Sequence, residues 1–189
     1  VTAPSTPFPE LDLLREFDQR LGPVFHSDGF ELIDFGDVSY VDSWSAKPAF
    51  LERVLAFAQA NGSGSVYALW RPDDGADLAK APVVVFGDEG GVHVVARDIR
   101  DLLRLLTLDT EISVDWERAY FWREEEEHSP GHDRYLAWLV ALGLLPADPD
   151  DGDEAGHGLL AQAQADFGPA FARWNAPFLT GTGPATAPG

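Results

Sequence analysis

Five consecutive apolar residues, Pro82-Val83-Val84-Val85-Phe86, constrain the fold of this chain more than any other feature, because apolar and polar positions do not alternate. A strand with one wet face alternates with a period of two, whereas one buried on both faces does not. The run is therefore expected at the centre of a sheet, covered above and below. Val66–Trp70 precedes it across a polar loop, and Val92–Ala96 follows it across Gly87-Asp88-Glu89-Gly90-Gly91. Short β-branched and aromatic runs bounded by Gly, Pro and Asp read as strands, and a five-residue connection with three glycines suits a tight hairpin. Asp98 is placed to cap a helix, with Asp101 in its first turn. Ile99, Leu102, Leu103 and Leu106 then recur at i, i+3, i+4 and i+7. The stretch 65–106 thus predicts a three-strand meander closed by a helix.

The flanking segments complete an α+β reading. Residues 1–8 are expected to form a loose lead. Leu11, Leu14, Phe17 and Leu21 predict a helix over Pro9–Leu21, stopped by Gly22-Pro23. Residues 24–26 and 30–35 flank Ser27-Asp28-Gly29 as a hairpin would, and 38–41 suit another short strand. Pro48 is well placed to start a helix carrying Phe50, Leu51, Val54, Leu55 and Ala58, ended by Asn61-Gly62. Trp116, Tyr120 and Phe121 suggest an amphipathic turn or two, running out in Arg123 and Glu124–Glu127 and broken by Ser129-Pro130-Gly131. Tyr135, Leu136, Leu139 and Val140 predict a helix ended by Gly143 and Pro146. An acidic loop over 147–156 and a last helix over 159–174 follow, with a kink or restart at Gly168-Pro169. The expected fold is a single domain over 9–178, a mixed, largely antiparallel sheet with helices packed on it, and a disordered tail over 179–189.

Charge narrows the function. Thirteen basic residues against 32 acidic ones leave a net −19. That balance argues against nucleic acid, whose phosphates would be repelled, and favours steered association with a basic protein. It also serves solubility alone. With no cysteine there is no disulfide framework, thiolate metal site or cysteine nucleophile. No run approaches the ~18 apolar residues of a membrane span, and no signal peptide opens the sequence, so a cytoplasmic location is the simplest expectation. Trp44, Trp122 and Trp174 suit a self-interface as well as a core, so the oligomeric state stays open.

No motif assembles catalytic chemistry, and no cofactor or metal is expected. Asp88-Glu89 supplies only the start of a hard-cation site, which needs ~6 oxygens. His128 and His132 stand at i and i+4, but Pro130-Gly131 between them interrupts a continuous helix, and the internal Glu of a zinc-protease motif is missing. Counted from Asp148, the acidic run 148–154 puts Gly152 and Leu159 where a calcium loop needs other residues. Gly62-Ser63-Gly64-Ser65 lacks the lysine of a phosphate loop. His26 and His93, within or beside apolar runs, read as core or edge histidines. The stretch weighed most for binding is Trp70-Arg71-Pro72-Asp73-Asp74-Gly75, where an aromatic, an arginine and two acids share a strand-end loop. The alternative is that Trp70 is core and the loop merely turns. Aromatic and arginine anchors dominate interface hot spots, and acids complement a cationic partner. Trp70, Arg71, Asp73, Asp74, Asp88, Glu89, Glu124, Glu125, Glu126 and Glu127 are the partner-binding candidates.

GSGSVYALW and PVVVFGDEGGVHVVARDIRDLLRLLT, within a match over about 50–109, resemble bacterial members of the SUKH superfamily (SMI1/KNR4-like). The match extends weakly to 135–146 and the last helix, while the N-terminal third departs from the common pattern. The resemblance implies helices packed on a mixed sheet and a non-enzymatic role, since many bacterial members are inferred to be immunity proteins that neutralise toxin domains, often nucleases. The expected partner is a cationic toxin domain. The alternatives are a regulatory or scaffolding module of the same fold and a small acid/base or metal-dependent enzyme.

Overall fold

A computed structural model describes residues 9–123, 127–145 and 152–179. Along the chain run α1 (Pro9–Leu21), β1 (Glu31–Leu32), α2 (Pro48–Leu51), β2 (Val54–Gln59), β3 (Val66–Trp70), β4 (Val83–Phe86) and β5 (Val92–Ala96). Then follow α3 (Ile99–Leu105), β6 (Glu111–Val114), β7 (Ala119–Trp122), α4 (His132–Ala141) and α5 (Gly152–Leu179). Strands β1 to β5 form one antiparallel sheet in sequence order, and β6 pairs with β7 in a second, two-stranded sheet.

The unbroken apolar run of β4 has the expected cause. Val83 and Val85 pack into one core with Tyr67, Leu69, Leu14, Leu102 and Tyr135, while Val84 and Phe86 pack into another with Ala68, Trp70, Phe50 and Phe171. Helices α1, α3 and α4 supply the first layer; α2 and the C-terminal half of α5 supply the second. A sheet covered on both faces gives β3 and β4 no wet side, and every residue of both is buried. Helix α5 reaches both layers: Leu160 belongs to the first core, and Ala163 and Phe171 to the second. Pro169 lies inside α5 on an exposed position, where the backbone carbonyl it leaves unbonded can meet water. The whole is one α+β domain.

The meander, the cap and the first helix stand as expected. Asp98 accepts a hydrogen bond from Asp101 N at 2.9 Å, and the β4–β5 turn needs its glycines. Gly91 has φ +83°, and a Cβ there would lie 2.0 Å from the Asp115 carbonyl oxygen.

Five local expectations are corrected. Residues 54–59 form β2, not a continuation of the helix begun at Pro48, because a short run apolar on every side fits a doubly buried strand as well as a helical stripe. Residues 24–26 pair with no strand among the described residues: the Phe25 carbonyl instead accepts from Gly131 N, and the extended segment from Glu31 pairs with β2. Residues 38–40 form a 3₁₀ turn, because the Asp37 carboxylate accepts from Ser39 N. The segment around Trp116 is the hairpin β6–β7, closed by Asp115, whose carboxylate accepts from Glu117 N and Arg118 N. The acidic loop ends earlier than expected, with helix running from Gly152; 146–151 and the two terminal segments lie outside the described residues.

Candidate functional site

The antiparallel register sorts the acidic loops onto two ends of the sheet. Val66 stands opposite Phe86 and Leu69 opposite Val83, so loop 71–82 leaves from one end while turns 60–65 and 87–91 close the other. The candidate residues therefore do not form one face.

At the loop end the charges are answered. Trp70 is 3% exposed and packs against Phe171 and Trp174, with ring centroids 5.2 and 5.6 Å away. It is a core residue, which corrects its candidacy as a partner anchor: a large indole over an apolar helix face is worth more buried. Arg53 donates to the Pro72 carbonyl at 2.6 Å and to Asp74 at 3.1 Å, and Arg71 donates to the Asp74 carbonyl at 2.8 Å. Asp73 accepts from Gly75 N and so organises the turn.

At the other end the carboxylates are held by neutral donors. Asp88 accepts from Ser65 Oγ at 2.5 Å and from Asn61 Nδ2 at 3.2 Å; Glu89 is exposed beside it. Asn61 organises its own turn through Oδ1, which accepts from the backbone of Ser63, Gly64 and Ser65, and its amide also donates to Glu111 at 3.3 Å. Burial pushes the Asp88 carboxyl up, but donors from Ser65, Ser63 and Asn61 outweigh it and hold it below the ordinary range.

Next to this turn opens a cleft of about 560 Å³ whose walls include Asp28, Glu31, Asp109, Glu111 and Glu127. Arg123 is the one arginine or lysine among its described lining residues, and its guanidinium donates to the Leu108 carbonyl. Phe25 and Trp122 line the cleft at 58% and 45% exposure. A larger groove of about 1320 Å³ between α1 and β1 shares Phe25 and Glu31 with the cleft but carries mixed charge, with Arg15 beside Asp18 and Asp34. Glu124–Glu126 lie outside the described residues; Glu127 is exposed on the cleft wall.

The floor of the cleft is Asp109, 3% exposed and in the left-handed conformation, φ 51°. Asp is among the few non-glycine residues that adopt it readily. Its Oδ1 accepts from Asp28 N at 2.8 Å and Ser129 Oγ at 2.7 Å; its Oδ2 accepts from Ser129 N at 2.6 Å. Burial, the largest influence, pushes this carboxyl up, yet the Ser129 and Asp28 donors together hold it below the ordinary range. Both Nδ1 atoms of a histidine pair face the same Oδ2, His128 at 3.1 Å and His132 at 3.8 Å. The two rings stack at 4.7 Å with 9° between planes. Burial pushes the His132 imidazole down, and Asp109 and the His26 carbonyl pull back without reversing it.

This pair corrects the expectation that Pro130-Gly131 keeps the histidines apart. His132 opens α4, and the turn through Ser129 folds His128 back over it. Asp109, His128 and His132 are also the one group of potential metal ligands brought together among the described residues. The sequence carried a signal for the pair in the i, i+4 spacing; nothing in it marked Asp109, Asp28 or Glu111.

Compared with protein-family models, curated proteins and solved structures, the chain matches none of them.

Proposed function

We propose that this is a non-enzymatic binding protein that grips a cationic protein partner, and that the partner is a toxin domain it neutralises. One observation carries the reading: among the described residues that line the concave cleft, five carboxylates stand against one arginine, which leaves the cleft net negative. Neutral hydrogen-bond donors fix Asp109 and Glu111 in place without cancelling their charge. Phe25 and Trp122 offer exposed aromatic surface for the stems of lysine or arginine. Asp109, held below the ordinary carboxylate range, suits facing a cation better than donating a proton. The SUKH resemblance of 50–109 supports the same role, and a high negative charge would speed capture of a basic toxin.

The test is the melting temperature of the protein mixed with a purified basic toxin domain of the nuclease type, at low salt and at about 1 M salt, where the Debye length shrinks to ~3 Å. A stabilising, salt-weakened complex that Glu111→Gln and Glu127→Gln weaken further is expected. A partner whose binding ignores both salt and these substitutions would move the interface elsewhere and sink the assignment to the cleft. Failure of that domain to raise the melting temperature or to inhibit toxin activity would sink the neutralising role.

A further inference from the structure

We infer that Asp109, His128 and His132 form a binding site for a borderline divalent transition ion, zinc in particular, on the floor of the acidic cleft. The donor set is right for this class: two imidazole nitrogens and one carboxylate oxygen select zinc and its neighbours over calcium or magnesium, which prefer all-oxygen shells. The spacing is right too. Ligand atoms of a tetrahedral zinc bound at ~2.0–2.1 Å lie about 3.3–3.4 Å from one another. Here Oδ2 of Asp109 stands 3.1 Å from one Nδ1 and 3.8 Å from the other, and the three ligand atoms all fall within 4.8 Å of each other.

The surroundings fit a built site. A ligating carboxylate is ordinarily fixed by outer hydrogen bonds, and Asp109 has three, from Asp28 N, Ser129 N and Ser129 Oγ. Asp109 and His132 are buried and set by the fold, whereas the His128 side chain is 57% exposed. His132 Nδ1 also lies 3.4 Å from the His26 carbonyl oxygen, a contact that ligation gives up, and in the stacked pair His128 is the ligand that must turn its ring, with exposure that leaves it room to do so. Ligation through Nδ1 puts each ring proton on Nε2. Three protein ligands leave a fourth position for water or a partner's side chain, and Glu111 and Glu127, which line the cleft with Asp109 and His128, draw cations inward.

This site is independent of partner binding, and either can fail alone. The probe is Zn²⁺ itself, titrated calorimetrically into the protein without any partner, with Co²⁺ as an optical reporter. One ion per chain is expected, with Co²⁺ absorption of a four- or five-coordinate centre. His128→Ala should weaken binding by more than the ~10–100-fold that loss of an outer-shell partner costs, while Asp73→Asn, at the far end of the sheet, should leave it unchanged. Imidazole NMR provides a readout free of substitution: His128 and His132 should shift on Zn²⁺ addition, and His93 and His157 should not. Absence of saturable binding, retention of full affinity in His128→Ala, or shifts spread evenly over all the histidines would each overturn the site.

Discussion

Loop 71–82 and the cleft around Asp109 lie at opposite ends of one sheet and draw on the same residue types, yet they hold charge in opposite ways. At the loop end, arginines sit beside the acids: Arg53 reaches Asp74, Arg71 bonds the neighbouring backbone, and Lys80 stands 3.6 Å from Asp77. Beneath them an aromatic cluster of Trp70, Phe171 and Trp174 anchors the strand end. At the cleft end, backbone amides, hydroxyls and an asparagine hold Asp88, Asp109 and Glu111, with the histidine pair beside Asp109, and the described cleft lining carries one arginine against five carboxylates. An acid-rich sequence thus becomes an electrostatic surface only where its counter-charges are withheld.

Four measurements can break this contrast, beginning with the largest effect. Trp70→Ala should destabilise the fold by about 3–5 kcal/mol in denaturant titration, because it empties a buried aromatic site; a loss under ~1 kcal/mol would mean that the loop end is not anchored from below. Asp109→Ala should cost about 3 kcal/mol or more, since hydrogen bonds to a charged group are worth ~1.5–3 kcal/mol each and the Asp28 and Ser129 donors would be stranded. If Asp109→Asn, which keeps an acceptor and tolerates the left-handed conformation, proved equally damaging, the neutral-donor account would need revision. Third, the melting temperature should fall as pH drops below about 4. Asp88 titrates lower when folded than unfolded, so its contribution is present above the unfolded value and disappears as pH falls through the folded one. Asp88→Asn should flatten part of that decline, and an unchanged profile would remove Asp88 from the list of held carboxylates. Smallest, Arg53→Ala should cost about 1 kcal/mol in the same titrations, since its ion-pair partner Asp74 is 91% exposed and the Pro72 carbonyl it bonds can turn to water.

The meander was legible in the sequence because Val83–Phe86 lacks alternation, and a doubly buried strand has few other ways to look. Helix α1 and the Asp98 cap were legible because capping and the apolar stripe act over a single turn. Strand β2 was not, because Val54-Leu55-Ala56-Phe57-Ala58 is apolar on every side and the helix begun at Pro48 invited continuation; Glu52 and Arg53 were the only interruption. The β6–β7 hairpin hid behind Asp115, whose turn-forming hydrogen bonds involve residues that also suit a helix start. The cleft was invisible for another reason. Asp28, Asp109, Glu111 and Glu127 come from segments brought together only by the docking of α4 and the hairpin beside the sheet, and tertiary proximity leaves no local periodicity. The histidine pair shows both limits at once: its i, i+4 spacing stands in the sequence, but a helical template does not contain the turn that stacks the rings.

Among the described residues, the five-stranded sheet presents two rims that are poor templates for another chain. One is the two-residue β1, too short to template a neighbouring strand; at the other, α5 and the β6–β7 hairpin pack against β5. A protein built this way should tolerate high concentration without drifting towards fibrils, even with 45% of its residues hydrophobic.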